Sequence, residues 1–551
     1  MSSSLSNIAL TGLNAGQNAL NSVASNISNV YVSGYNRQTT QLAEMGTNGA
    51  TGTGTGVQVT GVSRAYDALL MGQLRNASST SAASTSYSDQ ISQINSLLSN
   101  STSSLSTSMS TFFSSLQSLS SNAGDSAARQ TVIGSAQSLV SQFKSNDTYL
   151  RNLDDAVNKQ LSSSADQINT YAKQIANLND QIVRQGSDGA SNSMLDQRDE
   201  LVNNLNQLVG VTTTTQKDNS LTVTFAGGLT LVQGSTASQV KAVASKADAS
   251  RTVLAYDNGT GSASVINEKS LTTGSVGGVL AFRSGALDDA RNQLGQMAVA
   301  LAGSFNTQHA QGVDLNGNAG ADFFNIAAPS VIANTQNSVG GATLTASFAD
   351  TSAVQASSYN VKYASGAWQV TRASDGTSVS YTTTANGDGT STLGFDGLAV
   401  NISGGTPVAN DQYTLNPVTN AIAGMSVAVT DPSAIAAGQA DSDSGDSDNR
   451  NAQALLALQT GKVVGGSSTL STAYASLVST VGTDASNATI TATSQTNIVT
   501  QLTTKQQSIS GVNLDEEYAD LQRYQQYYQA NAQVFSTAGT LFNTILSAVN
   551  G

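Results

Sequence analysis

Towards the C-terminal end of the chain, apolar positions recur in alternating steps of four and three. They run Leu514, Tyr518, Leu521, Gln525, Tyr528, Ala532, Phe535, Gly539, Phe542, Leu546 and Val549, and only Gln525 and Gly539 break the series. The N-terminal end repeats the pattern over a shorter span, at Ala9, Leu13, Gly16, Leu20, Val23 and Ile27. A period of about 3.5 sustained this long predicts a coiled-coil seam rather than a helix resting on a globular core. The intervening polar positions are mostly Ser, Thr, Asn and Gln, and no charged residue occurs from Met1 to Asn36 or from Tyr524 to Gly551. Helices that face water carry Lys and Glu on their outer side, so these two ends are expected to face neighbouring copies instead.

Length strengthens that expectation. At about 1.5 Å per residue a helix from Leu514 to Val549 reaches roughly 54 Å, against roughly 35 Å for the N-terminal one. The shorter helix alone cannot cover the longer. Each large apolar side chain contributes about 1.5–3 kcal/mol on burial, so a half-wet seam is costly. The ends are therefore expected to be disordered in the free subunit and helical once copies assemble. Gly539 is the place where a close helix approach or a bend is expected.

Between the ends the periodicity nests. The stretch SNISNVYVSGYNRQTT (25–40) closes the first helix and begins an extended segment, and a glycine-rich run from Gly46 to Gly61 leads into the strand-like VQVTGV. From Tyr66 to Leu208 the pattern is helical, with Ile91, Ile94, Leu97, Leu98, Leu105, Phe112, Leu116 and Leu119 at steps of three and four. Ser126 to Arg184 contains no proline and supports one or two long helices. At Gly210 the period changes to two, with a Lys217-Asp218-Asn219 turn between alternating segments, and this β-rich stretch runs to about Gly278. A helix is expected from about Ala286 to His309, strands from Pro329 to Met425, and helices again at Asn451–Gln459 and Ser471–Gln507.

The fold class is α+β multidomain: a terminal α-helical coiled coil and helical-bundle body built from both ends of the chain, with two inserted β-rich domains. The expected division is 1–36 plus 511–551 for the terminal coiled-coil polymerisation domain and 37–209 plus 279–328 plus 426–510 for the mostly helical body. The inner β-rich insertion spans 210–278 and the outer one 329–425.

Composition narrows the function. The formal net charge is -13 with no Lys/Arg cluster, which argues against nucleic acid as a partner. Charged residues are only 11% of the chain, a profile closer to surface assembly proteins than to cytosolic enzymes. There is no cysteine, so disulfides, thiolate metal sites and Cys nucleophiles are excluded. The first residues lack the basic and continuous apolar regions of a Sec signal, and no apolar run approaches the ~20 residues of a membrane-spanning helix. No membrane insertion is expected; such a chain either stays inside or leaves uncleaved through a dedicated apparatus.

Catalytic chemistry finds little to stand on. His309 is the one histidine, near the end of an expected helix where it suits the last carbonyls. Gly461-Lys462 has Leu456 where a phosphate-binding loop requires glycine, and Gly49, Gly52, Gly54 and Gly56 do not form a dinucleotide fingerprint. Asp314, Asn316 and Asn318 imitate half a calcium loop, but Ala319 and Asn325 stand where glycine and glutamate are needed, so turn chemistry is expected. Asp441, Asp443, Asp446 and Asp448 read as a solvated linker that caps the next helix. No catalytic, cofactor-binding or metal-binding residue is assigned. The candidate site is the seam itself: Leu13, Leu20, Val23, Ile27, Leu514, Tyr518, Leu521, Tyr528, Phe535, Phe542 and Leu546. The cluster Asp515, Glu516, Glu517, Asp520 and Arg523, where the seam meets the body, is expected to fix register.

The two ends resemble those of flagellar axial proteins, which share paired terminal helices and a segment like SNISNVYVSGYNRQTT after the first. Within that group the chain is similar to the hook-associated family of the hook–filament junction. The blocks that carry the resemblance are SGVNLDEEYADLQRYQQYYQANAQVF (510–535), GDSDNRNAQALLALQ (445–459), FRSGALDDARNQLGQMAVALAGSFNTQHAQG (282–312) and NGNAGADFF (316–324). The resemblance implies a non-enzymatic subunit that forms a ring with copies of itself, with hook protein on one side and the next hook-associated protein on the other. It implies secretion through the flagellar type III apparatus to the extracellular flagellum, and a cytoplasmic export chaperone at the C-terminal helical region. The alternatives are a flagellin or another axial protein, and a surface adhesin carried by the β insertions, for which an exposed Trp368 is the residue to watch.

Overall fold

The computed structural model describes residues 2–46, 54–99, 104–186, 191–259, 261–441 and 445–550. Ten α-helices occur among them: α1 (Ser2–Asn29), α2 (Ala68–Leu98), α3 (Leu105–Ser121), α4 (Ser126–Gln185), α5 (Asn192–Leu208), α6 (Gly274–Phe282), α7 (Asp288–His309), α8 (Arg450–Ala457), α9 (Leu470–Ser510) and α10 (Leu514–Asn550). The proline-free stretch expected to hold one or two helices is the single 60-residue α4. Asp125 caps it by accepting from the Ala127 N–H. Along one face Leu139, Phe143, Leu150, Val157, Leu161, Ile168 and Ile175 are all buried, so the helix serves as the spine on which the other elements lie.

Around the spine, α3, α7, α8 and the start of α9 close one continuous apolar core. Its centre is aromatic: Phe305 lies 4.8 Å from Phe323, 5.4 Å from Phe324 and 5.5 Å from Phe112, ring centroid to ring centroid. Offset and edge-on aromatic packing adds to simple area burial.

α6 begins at Gly274, well before the Ala286 at which a helix was expected, and runs into a π-helical turn at Arg283–Leu287 that leads to α7. The segment GSVGGVLAF has three glycines and two β-branched valines, so its local preference is weak. Packing overrides it. A Cβ on Gly278 would come within 2.2 Å of the Ala83 carbonyl oxygen, so glycine lets α6 rest directly on the backbone of α2.

The inner β-rich stretch is two antiparallel sheets. One orders Val211–Thr215, Leu221–Phe225, Leu229–Gln233 and Thr236–Ala237; the other orders Gln239–Ala244, Thr252–Asp257 and Ser264–Val265. Side chains of α4 finish their edges: the Asn179 amide donates to the Leu221 carbonyl and accepts from its N–H, and Asn169 does the same for Val240.

The outer stretch is a sandwich of two four-stranded antiparallel sheets. Tyr359, Val361, Val370, Tyr413 and Leu415 on one sheet, with Leu344, Leu393, Phe395, Leu398, Val400 and Ile402 from the other, form a second core, into which Val299 of α7 also packs. Trp368 is not exposed as expected. It is half-buried, with Tyr363 5.1 Å and Tyr413 6.0 Å away, because cross-strand aromatic packing draws it in. Two short ladders, Phe324–Asn325 on Ser426–Val427 and Gly312–Val313 on Gly438–Gln439, hold the departing and returning chains together.

Candidate functional site

The two ends of the chain meet. α1 and α10 pack antiparallel: Gly12 lies against Asn531, Gly16 against Tyr527 and Tyr528, and the Asn26 amide donates to Glu517 at 2.9 Å. A Cβ on Gly12 would fall 2.2 Å from the Asn531 side-chain oxygen, so the missing side chain is what brings the helices together. The buried residues of α1 are small or polar: Ala9, Ala15, Ala19, Ser22 and Asn26, with Val23 the largest.

A hairpin of Gln38–Glu44 and Val57–Arg64 packs beside α1, where Thr40 and Ser22 share a 2.8 Å hydroxyl contact. At its base sits an ionic knot. Glu517 is 1% exposed and takes hydrogen bonds from Arg37 (2.6 Å) and Asn26, while Arg37 also reaches Glu516 and Asp520. Burial works against the Arg37 charge, but Glu517, Glu516 and Asp520 outweigh it and hold the guanidinium more firmly protonated than usual. The Arg37 N–H donates to the Ser510 carbonyl at the end of α9. A second knot ties the hairpin to α5: Asp196 accepts from the Asn36 amide and from Arg64, and Arg64 pairs with Asp199 and stacks on Tyr66.

Of the residues read as the seam, Val23 is buried, and Leu13, Leu20, Ile27 and Leu521 are half-buried. Leu514, Tyr518, Tyr528, Phe535, Phe542 and Leu546 are exposed, Tyr518 at 61% and Phe542 at 53%. Leu5, Ile8 and Leu10 of α1 and Leu541, Ile545 and Val549 of α10 extend the same exposed apolar surface. The register of the pair leaves about the last two turns of α10 beyond the start of α1. Gly539 has open space around it, and close approach falls to Gly12 and Gly16 instead. Asn26, Asn36, Arg37, Gly12 and Asp196 escaped the heptad reading; the four-residue spacing of Gly12 and Gly16 beside Ala9 and Ala19 was the available signal.

Elsewhere the polar candidates are structural. His309 is fully buried, and Asp314 closes a turn by accepting from the Asn316 and Asn318 N–H groups. Those hydrogen bonds outweigh partial burial and hold the Asp314 carboxyl below its ordinary range. Arg450 takes up Asp441 and Asp448, and Asp443, Gly49 and Gly52 lie outside the described residues. Among the described residues no cluster of three or more His or carboxylate groups is placed to hold a metal ion, and no helix is long and apolar enough to cross a membrane.

Residues 91–324 match the helical domain of flagellar hook-associated protein FlgK, 332–417 match the D2-like domain of flagellar hook-associated protein 1, and 505–548 match the C-terminal region of flagellar basal body rod FlgEFG proteins. Flagellar hook-associated protein 1 of Escherichia coli strain K12 is 51% identical over 551 residues, covering 99% of this chain and 100% of that one. The chain belongs to the flagellar hook-associated protein 1 family. Its relative in Salmonella typhimurium is likewise 51% identical, over 555 residues, with 99% and 100% coverage. The solved structure of the flagellar hook junction protein FlgK from Burkholderia pseudomallei superposes with a TM-score of 0.73 at 30% identity, covering 80% of this chain and all of that one. The expected α+β multidomain fold and the axial-protein resemblance are both borne out. As a hook-associated protein 1, the chain is a structural component of the bacterial flagellum, at the hook–filament junction.

Proposed function

We propose that the chain joins hook to filament mechanically by self-assembly of its paired ends, with α1 and α10 as the polymerisation unit. The observation that carries this reading is the exposed apolar surface of the α1–α10 pair, which runs from Tyr518 through Tyr528, Phe535, Phe542 and Leu546 and is free of charge from Tyr524 onward. Within one subunit the pair buries mainly Ala, Gly and Ser, so little apolar area holds it together and neighbouring copies supply the rest. Hook protein packs on one side of the ring and the next hook-associated protein on the other. Seam residues Leu13, Leu20, Ile27, Leu514 and Leu521 complete the contacts between copies, while Val23 is buried within the pair itself.

The chain performs no catalysis in this role. It leaves the cell unfolded through the type III apparatus, held beforehand by a chaperone at its C-terminal helical region, and it folds at the growing tip in the extracellular flagellum. A chain without cysteine cannot crosslink on that route. The helical body spans 37–209, 279–328 and 426–510, and the two β-rich insertions decorate it.

Tyr528→Asp and Phe535→Asp test the reading. Both positions are exposed, at 38% and 45%, so the free subunit tolerates the charge while a dry contact between copies does not. Purified variants are expected to keep their β-sheet circular dichroism and lose the ability to join hooks to filaments. Variants that still join them would show that the seam lies elsewhere.

A further inference from the structure

His309 closes α7, and its ring joins two chain segments distant in sequence. Nδ1 lies 2.6 Å from the Ala321 carbonyl oxygen and donates to it, while Nε2 accepts from the Ala436 N–H at 2.9 Å. That pairing fixes the neutral tautomer. Ala321 belongs to the chain that leaves the body for the outer sandwich, and Ala436 to the chain that returns, so one imidazole staples both. The site is dry: His309 is 0% exposed, with Phe305 stacked at 6.2 Å and Phe323 edge-on at 5.6 Å. Gly320 lies so close that a Cβ there would meet the His309 carbonyl oxygen at 2.0 Å.

The charged groups around it come from three elements. Arg129 of α4 is itself buried and donates to the carbonyls of Ala123, Pro432 and Ile435, one residue from the stapled Ala436. Asp322 lies on the departing segment and Asp314 on the turn before it. Protonation of the ring removes the only acceptor of the Ala436 N–H at this contact, and it places a second cation near Arg129 in an aromatic cage. We propose that His309 is an acid-operated latch at the root of the outer sandwich, closed when neutral and released on protonation.

Burial pushes the His309 pKa down, with Arg129 adding to it and the Ala321 hydrogen bond, Asp322 and Asp314 opposing. The sign follows. A folded-state value below the unfolded one, about 6.5, means that the closed state binds fewer protons. The latch therefore holds fully above about pH 6.5 and weakens as pH falls through the interval beneath it. As the one histidine of the chain, His309 gives an unambiguous signal.

Selective 15N-histidine labelling of the full chain reads ring protonation directly, and amide hydrogen exchange reads the segments 310–325 and 430–440 in the same samples. The expected result is a single ring titration below about pH 6.5, with protection of both segments falling roughly tenfold in step while α4 stays protected. In His309→Gln that step is absent. A ring that protonates without any change in those segments overturns the latch, as does a step that persists in His309→Gln or a ring that stays neutral until the whole chain unfolds.

Discussion

At the scale of single residues, the chain ends are organised by a few polar and missing side chains rather than by the large apolar ones. Glu517 is the centre of this arrangement, because it is nearly inaccessible and satisfies both Asn26 and Arg37. Glu517→Gln keeps the shape and removes the charge. It is expected to cost about 1–3 kcal/mol of local stability, read as faster hydrogen exchange in residues 20–40 and 514–524 with the outer sandwich unchanged. Gly16→Leu is expected to push α10 away at Tyr527 and Tyr528 and to weaken assembly, because those groups lie 3.2–3.6 Å from where its Cβ would sit. Wild-type assembly by that variant would refute the close-approach argument. The sequence made the heptad positions legible because spacing alone identifies them. It could not single out Glu517 from Asp515 and Glu516, since only the three-dimensional register with Asn26 makes one of three adjacent carboxylates the buried one. Arg37 was hidden for the same reason: its partners lie 479 to 483 positions away in the chain.

At the scale of elements, legibility followed the strength of periodicity. α4 and α9 carry long uninterrupted patterns and were expected nearly in full, as were the inner hairpins at their alternating residues. α6 was not, because its helical state comes from packing on α2 rather than from its own residues. That difference is testable. Gly278→Val adds a β-branched group against the Ala83 carbonyl and is expected to destabilise the body by about 1–3 kcal/mol, seen as a lower thermal midpoint. An unchanged midpoint would mean that α6 and α2 can separate freely. The π turn that follows carries Arg283, 2% exposed, onto Glu268 and the Thr252 carbonyl, so the irregular helix is anchored to the inner sheets on its other side.

At the scale of the molecule, the outer sandwich has a core that takes in Val299 of α7, and it meets the body through two short ladders and along α7, where Gln296 donates to the Val354 carbonyl and Gly303 lies against Thr351. Ser330 and Asn416 are cross-strand partners at its base, so the ends left by removing 331–415 are already neighbours. A chain closed there by a short glycine linker is expected to export, assemble and join hook to filament. Loss of export or of assembly would make the sandwich part of the structural unit rather than a decoration. Sequence alone indicated a β-rich insertion here, because turn residues and alternation are local. Its division into two facing sheets was not legible, since strands 330–333 and 412–416 pair across some eighty residues of intervening chain.

The antiparallel meeting of α1 and α10 has a consequence for timing. A ribosome makes residues 2–29 long before 514–550, so the α1–α10 pair does not exist on a chain that stops short of α10. A product truncated anywhere before α10 carries half of a joint, and that half is mostly Ala, Gly, Ser and Asn. Under the assembly proposed above, synthesis of α10 thus doubles as the licence to polymerise, and the architecture would guard against building faulty subunits into a structure that every later subunit must rest upon.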